Sequence, residues 1–470
     1  MADENAGHLS VTEKVGYSLG DFASNFYWRV FDTFILIFYT DVFGIPAASA
    51  ATLLLVTRIW DAVNDPVMGI LADRTQTRWG RYRPWLIWMI LPLVAAGVLT
   101  FFTPDLPTGG KVVYAYVTYI LMMMTYTAIN IPYSALMGVI SPNTQERTSV
   151  SQFRFVGAFT GGIVVQSSTL WLVKWLGEWS GGGVEAGWPL TMLVYGIIAG
   201  FAFAITFATT QERVEPIQEE PNLRADIADV LRNEAIGYLI VIGTVVLTNA
   251  VIRGSATIYY LKYYLAVHEM NLFGYAISDM ETLTAVFLTA GGVANLLGVL
   301  ATTTLTNRLG KRSTYIICMT SGAALTLSLF LFPGDWLNTV FVINFLGGLA
   351  VGPTAPIMFA MYADVADYGE WKTGRRTTGL VFSGAMLSTK FGAAIGQGSA
   401  GYLLYLYGYE PNVAQQTESA LTGILLSVSV VPAVLMMIGV AAMVLYPLSD
   451  VRMKEIGADL EARRQKTAAA

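Results

Sequence analysis

The chain has 470 residues, of which 54% are hydrophobic and only 13% charged, with a mean hydropathy of +0.53. Soluble domains carry about 25% charged residues, so most of this chain has no water to face. A net charge of −5 offers no basic field for nucleic acid, and the single cysteine, Cys318, excludes an intramolecular disulfide.

From the N-terminus, MADENAGHLSVTEK is polar and acidic and lacks the apolar core of a signal peptide. It reads as a cytosolic tail. A helix crosses a bilayer in about 20 apolar residues, and such runs recur to the end of the chain. Spans are expected at about 15–43, 46–73, 84–103, 111–141, 148–176 and 188–210, then at about 236–266, 279–307, 313–333, 336–365, 376–408 and 418–447. The fold class is therefore all-α and polytopic, with twelve transmembrane helices.

The loop after the second span holds Arg74, Arg78, Arg81 and Arg83. That after the eighth holds Arg308, Lys311 and Arg312, and that after the tenth Lys372, Arg375 and Arg376. The opposite side shows Lys111, Lys174 and Lys262. The positive-inside rule then puts both termini in the cytoplasm. Residues 212–234, with two prolines and dense charge, read as a cytoplasmic linker in which LRADIADVLR suits an interfacial helix. They separate six spans in 1–211 from six in 235–448, and 449–470 reads as a cytoplasmic tail. LADRTQTRWGRYRP and LTNRLGKRST echo one another after the second and eighth spans, as expected of an internal repeat with a substrate site between the halves. Asp73 and Glu370 are candidate partners for the basic loops in a cytoplasmic gate.

Ionisable groups at membrane depth cost at least ~2.5–3.5 kcal/mol on insertion scales and normally serve a cavity. On the second span, RIWDAVNDP places Arg58, Asp61 and Asp65 at i, i+3 and i+7, on one helical face, with Asn64 beside them. Two carboxylates and an amide oxygen suit a hard monovalent cation, or a shared proton. The rival reading, that Arg58 neutralises one aspartate structurally, leaves the second carboxylate unbalanced. Thr127 and Asn130 lie within a turn of Pro132, where a backbone hydrogen bond is lost. Asp21 and Asn25 stack four residues apart on the first span and, like Arg154 on the fifth, are candidate substrate contacts or solvated helix-end groups. Lys390 is deeper and wants a carboxylate, Asp61 or Asp65, or an anionic ligand. Arg253 suits a substrate carboxylate or a structural acidic partner, and Gln397 lies on the Lys390 segment. With His8 and His268 far apart, no catalytic dyad or resident metal site is suggested, and an enzyme is not expected.

At GYSLGDFASNF, FYTDVFG, RIWDAVNDPVMG, RWGRYRPW, NIPYSAL, ERTSVSQFR, ADVADYGEWKTGRRTTG and the Lys390 segment, the chain resembles the glycoside–pentoside–hexuronide:cation symporters. These are a branch of the major facilitator superfamily that includes the melibiose carrier. The resemblance implies two six-helix bundles in a bacterial inner membrane. It implies uptake of a sugar coupled to Na+, Li+ or H+ by alternating access, with no other cofactor and no obligate protein partner. It puts the cation on Asp61, Asn64, Asp65 and Thr127, with Arg58 and Lys390 in coupling. It also puts Arg154 in the sugar cavity, where Asp21, Asn25, Asn130, Arg253 and Gln397 are further candidates. Asn25 and Asn130 stand as amides where aspartates of the melibiose carrier's cavity would be expected, and Ser134 and Ala355 stand in place of its tryptophans. Loss of negative charge beside Arg154, Arg253 and Lys390 leads to the expectation of an acidic sugar. A non-sugar substrate such as a lysolipid, or uniport or exchange, is the alternative.

Overall fold

A computed structural model describes every residue except 1–8, 142, 215–232, 266–269, 278, 333–335, 374–377 and 470. The expected interfacial helix in LRADIADVLR, both histidines, and Arg375 and Arg376 lie outside the described residues.

Helix α1 starts at Val11, where the Ser10 hydroxyl accepts the Glu13 N–H at 3.2 Å, a side-chain N-cap. It runs to Thr33 and is prolonged by Ile35–Ile37 and a π-helical turn, Phe38–Val42. Helix α2 spans Ala47–Arg74 after Pro46, whose fixed φ suits a helix start. Helix α3 is broken at Met89 into Arg83–Trp88 and Ile90–Thr100. Then come α4 (Thr108–Val139), α5 (Thr144–Ser180) and α6 (Gly183–Thr209).

Helix α7 (Glu234–Tyr259) ends in a π-helical turn, Tyr260–Tyr264. An unexpected antiparallel hairpin follows, β1 (Met270–Leu272) and β2 (Tyr275–Ile277). Its turn uses left-handed Phe273 and Gly274, with φ of 51° and 92°. Helix α8 spans Met280–Leu309, and α9 Lys311–Ser328 with a 3-10 turn to Leu331. Helix α10 is interrupted at Gly352–Pro353, between Leu337–Val351 and Thr354–Thr373, and runs eight residues beyond the expected end. Helices α11 (Thr378–Leu406), α12 (Glu418–Val428 and Val430–Leu445) and α13 (Asp450–Ala469) complete the chain.

Among the described residues, eight stretches are long and apolar enough to cross a membrane, in α4 to α10 and α12. Helices α1 and α2 are as long but carry the charges, Asp21, Arg29 and Asp32 on one and Arg58, Asp61 and Asp65 on the other.

The chain divides into two compact units. One comprises Met1–Gln218 with Asp279–Thr289 and Tyr409–Gln415, and the other the remainder. In the first, α1 packs against α5 through glycines one turn apart. A Cβ at Gly157 would lie 2.3 Å from the Ser18 carbonyl oxygen, and one at Gly161 2.6 Å from that of Phe22. No larger residue allows that approach, the small-residue packing common between membrane helices. The second unit repeats the device between α7 and α11. A Cβ at Gly392 would fall 2.4 Å from the Thr244 carbonyl oxygen, and at Gly396 3.0 Å from that of Thr248.

A second device is also repeated. In the first unit, Gly80 (φ +107°) turns the chain into α3, and the Glu212 carboxylate accepts the N–H groups of Arg81, Tyr82 and Arg83 at 2.9, 2.8 and 3.0 Å. An anion thereby caps the positive end of that helix. Arg83 donates to the Phe207 carbonyl at 2.6 Å. In the second unit, Gly310 (φ +80°) precedes α9, Asp450 accepts the Lys311 N–H at 3.0 Å, and Arg312 donates to the Val444 carbonyl. The echo between the two basic loops is thus an echo of structure.

Candidate functional site

Every charged group described at depth in the first unit belongs to one of two connected clusters. The first is built on α2 and α4. Asp61 is buried and Asp65 half-buried, one turn apart. The buried Thr127 hydroxyl of α4 points between them, 2.8 Å from Asp61 Oδ1 and 3.2 Å from Asp65 Oδ1. Asn64, half-buried, sits next to Asp65 on the same helix. Two carboxylates and a hydroxyl converge here within hydrogen-bonding range, with an amide alongside. That is the all-oxygen donor set a hard cation takes.

Arg58, 3% exposed, lies one turn before Asp61 and covers the Trp28 ring at 4.7 Å. It also lies in electrostatic range of Asp32, Tyr119 and Tyr126. Tyr27, Trp28, Phe31, Met122, Met123 and Tyr126 line a small pocket with it. Asp32, 7% exposed, has Arg29 and Arg58 as its electrostatic partners. Neither Asp32 nor Arg29 figured in the sequence reading. The signal was present, because an arginine and an aspartate three residues apart in an apolar helix share a face.

The second cluster joins α1, α4 and α5. Arg154 grips Asp21 with both arms of its guanidinium, through Nε and, at 3.2 Å, through Nη2. The Tyr133 hydroxyl donates to Asp21 at 2.9 Å and approaches the Tyr17 carbonyl at 2.8 Å. The Tyr17 hydroxyl donates to the Tyr133 carbonyl at 2.8 Å, and the two rings stack with centroids 4.7 Å apart. Arg154 lies over both rings, at 5.9 and 5.2 Å. Asp21 and Arg154 are therefore a constructed pair and not solvated helix ends. Two tyrosines that the sequence reading passed over hold the pair in place.

Asn25 donates its amide to the Asp21 carbonyl at 2.9 Å. Asn130 is half-buried and hydrogen-bonds the Tyr126 side chain. Tyr126 senses Asp21 on one side and Arg58 and Asp61 on the other. It connects the two clusters, directly before Thr127 in the chain. The loss of negative charge that Asn25 and Asn130 suggest is offset one turn away, at Asp21.

In the second unit, Arg253 donates to the amide oxygen of Asn344 at 3.0 Å, so the partner seen for it is neutral. Gln397 is 1% exposed and Lys390 half-buried, both on α11. Among the loop acids, Asp73 accepts the Tyr82 hydroxyl at 2.8 Å. Among the described residues, no group of three or more His, Cys, Asp and Glu side chains could hold a metal ion.

Residues 16–450 match the family model described as MFS/sugar transport protein. The chain is 35% identical over 455 residues to the isoprimeverose transporter of Lactiplantibacillus pentosus, covering 96% of this chain and 91% of that one. It is 35% identical over 429 residues to the inner membrane symporter YicJ of Escherichia coli (strain K12), covering 91% and 89%. Among solved structures, a D-xylose-proton symporter superposes with a TM-score of 0.62 at 12% identity, covering 92% of this chain and 96% of that one. That likeness concerns the fold alone.

Proposed function

The chain belongs to the MFS/sugar transport protein family, a family of transporters and not enzymes, and from that premise we propose that it imports a neutral glycoside coupled to Na+. It is a multi-pass membrane protein, and the naming of YicJ supports an inner-membrane location. The observation that carries the coupling is the Thr127 hydroxyl lying between Asp61 and Asp65. A cation bound there neutralises repelling carboxylates, and Tyr126, adjacent in sequence, relates that change to Asp21 and Arg154. Sugar and cation then tighten one another's binding by the same factor, as linkage requires, and alternating access carries both across.

A neutral sugar is favoured over an acidic one because the Arg154 charge is already balanced by Asp21. The arginine and the aspartate present donors and acceptors suited to hydroxyl groups, and the half-buried Tyr126 lies in electrostatic range of Asp21. The name of the isoprimeverose transporter supports a glycoside as the substrate class.

The test is uptake into reconstituted vesicles of labelled neutral glycosides, pentosides and uronides, with and without an inward Na+ gradient, alongside Asp65→Asn. Accumulation of a neutral glycoside that needs Na+ and vanishes in the variant supports the reading. Uptake that ignores Na+ at fixed pH and falls only when the proton gradient collapses assigns the coupling to H+. Uptake of uronides alone overturns the substrate class.

A further inference from the structure

The proposed function gives Asp32 and Arg29 no task, yet they are charged groups deep in a membrane helix, where charge has a cost. Arg58 touches the Trp28 ring, and Asp32 is four residues after Trp28, hence on the same face of α1 one turn further on. Asp61 is three residues after Arg58 on α2. Arg58 interacts electrostatically with two carboxylates, Asp61 on its own helix and Asp32 on α1. All three are at least nine-tenths buried, at 3%, 6% and 7% exposure for Arg58, Asp61 and Asp32. Depth agrees with this. From the Ala47 end of α2, Arg58 is about 16 Å in and Asp61 about 21 Å, while Asp32 is about 15 Å from the Val42 end of α1, taking ~1.5 Å per residue.

We infer that Asp32 is a positioning residue for ion coupling, the alternative counter-ion that takes over the charge of Arg58 when a cation claims Asp61. The inference rests on the cation reading of Asp61, Asp65 and Thr127. A cation can use the Asp61 oxygens only to the extent that Arg58 gives them up. Without a second carboxylate, releasing Arg58 would strand a buried guanidinium, a state that costs several kcal/mol. Asp32 removes that obstacle, because Arg58 needs only to redistribute its donors from one neighbour to the other.

The charges agree with a single monovalent ion. Ionised Asp32, Asp61 and Asp65 contribute three negative charges against two positive ones from Arg29 and Arg58, and Asp21 and Arg154 cancel. One cation leaves the first unit's interior neutral. Arg29 fits as the residue that keeps Asp32 from holding Arg58 permanently. Helix α5 gives its side chain room at Gly162, where a Cβ would meet Arg29 Nε at 3.1 Å.

A simpler idea is that Asp32 merely neutralises Arg29. The two ideas part on a double variant. Na+ binding to the purified transporter is followed by the part of the tryptophan emission that Trp28→Phe removes, Trp28 being the ring under Arg58 and one of eleven, and by Na+-dependent tightening of labelled-sugar binding. Asp32→Asn is expected to weaken Na+ affinity by about tenfold or more, the scale of losing one charge close to a buried site. Arg29→Gln/Asp32→Asn keeps the net charge of the wild type and is expected to stay as weak as Asp32→Asn, while Asp32→Glu retains affinity. Double-variant affinity within about twofold of wild type would overturn the inference, and so would a silent Asp32→Asn, the result if Asp32 held a proton. Because the double variant removes a whole pair, it also covers the case in which Asp32→Asn fails to fold. Wild-type protein that binds sugar without regard to Na+ would overturn the cation reading itself, and this inference with it. Wild-type Na+ dependence lost in Asp65→Asn but fully kept in the double variant would overturn this inference alone.

Discussion

The sharpest perturbation of the cation cluster is Thr127→Val, which keeps the shape of the side chain and removes one oxygen. In the structure that oxygen serves Asp61 at 2.8 Å and Asp65 at 3.2 Å in a buried setting. A hydrogen bond to a charged group contributes about 1.5–3 kcal/mol, and with a cation bound the same oxygen turns its lone pairs to the ion. If that contribution is lost from the bound state, the Na+ concentration for half-maximal uptake should rise about 10- to 100-fold, at ~1.4 kcal/mol per tenfold. Maximal uptake at saturating Na+ should change much less, because the sugar cluster is untouched. The assay is sugar uptake into vesicles over a range of Na+ concentrations at fixed pH and ionic strength. Thr127→Ser, which restores the hydroxyl, should recover most of the affinity. An unchanged half-maximal concentration in Thr127→Val refutes the placement of a cation between these carboxylates. Equal loss in the serine variant would trace the effect to packing against the Thr127 methyl.

Other perturbations follow from the same contacts. Asp21→Asn and Arg154→Gln each strand a partly buried partner, 25% exposed for Arg154 and 14% for Asp21, so each should lose sugar binding and up to about 3 kcal/mol of stability. The double variant should recover stability, read by thermal unfolding in detergent, but not sugar binding. Gly157→Ala and Gly392→Ala should each cost about 1–3 kcal/mol by overpacking against a carbonyl oxygen. Gly138→Ala, with nothing within 4 Å of the added carbon, should not lower the unfolding temperature and should raise it slightly, since alanine loses less conformational freedom in a helix. Glu212→Ala removes the acceptor for three N–H groups at the start of α3 and should lower the unfolding temperature, with Asp450→Ala having a smaller effect because it loses one.

Most of the architecture was legible because a bilayer permits few solutions. Long apolar runs must be helices there, since no water is available to satisfy exposed backbone groups. What the sequence hid is instructive. The break at Met89 in α3 was legible in principle, since Pro92 lacks the N–H that the Trp88 carbonyl would accept, whereas the short hairpin after α7 has only Gly274 to announce it. The face bearing Arg58, Asp61 and Asp65 was readable from i, i+3, i+7 spacing alone, because all three lie on one helix. Asp21 with Arg154 was not, since the partners are 133 residues apart and only the approach of α1 to α5 across Gly157 and Gly161 brings them together. Tyr17 and Tyr133 were hidden for a related reason. Their hydroxyls look like ordinary interfacial phenols until each is seen closing on the other's backbone.

The internal repeat extends to the scaffold and stops short of the chemistry. Both units use a glycine pair four residues apart to seat one helix on another, and both close a loop with a carboxylate at a left-handed glycine. Even the basic residue before the glycine pair recurs, Arg154 three positions ahead of Gly157 and Lys390 two ahead of Gly392. The opposing helix differs. Helix α1 offers Asp21 to Arg154, whereas the only acid on α7 is Glu234, at its first residue. Small residues at a helix contact answer to backbone geometry, which a duplicated fold shares, so substitution there is penalised equally in both copies. Buried charges answer to a ligand, and one ion needs one site. A second copy of three carboxylates without a second ion would leave repulsion that nothing offsets. The acids at depth are therefore expected in one half only. Grafting an aspartate at Leu247 or Thr248, the α7 positions that face α11 near Gly392 and Gly396, should destabilise the second unit unless Lys390 turns to meet it.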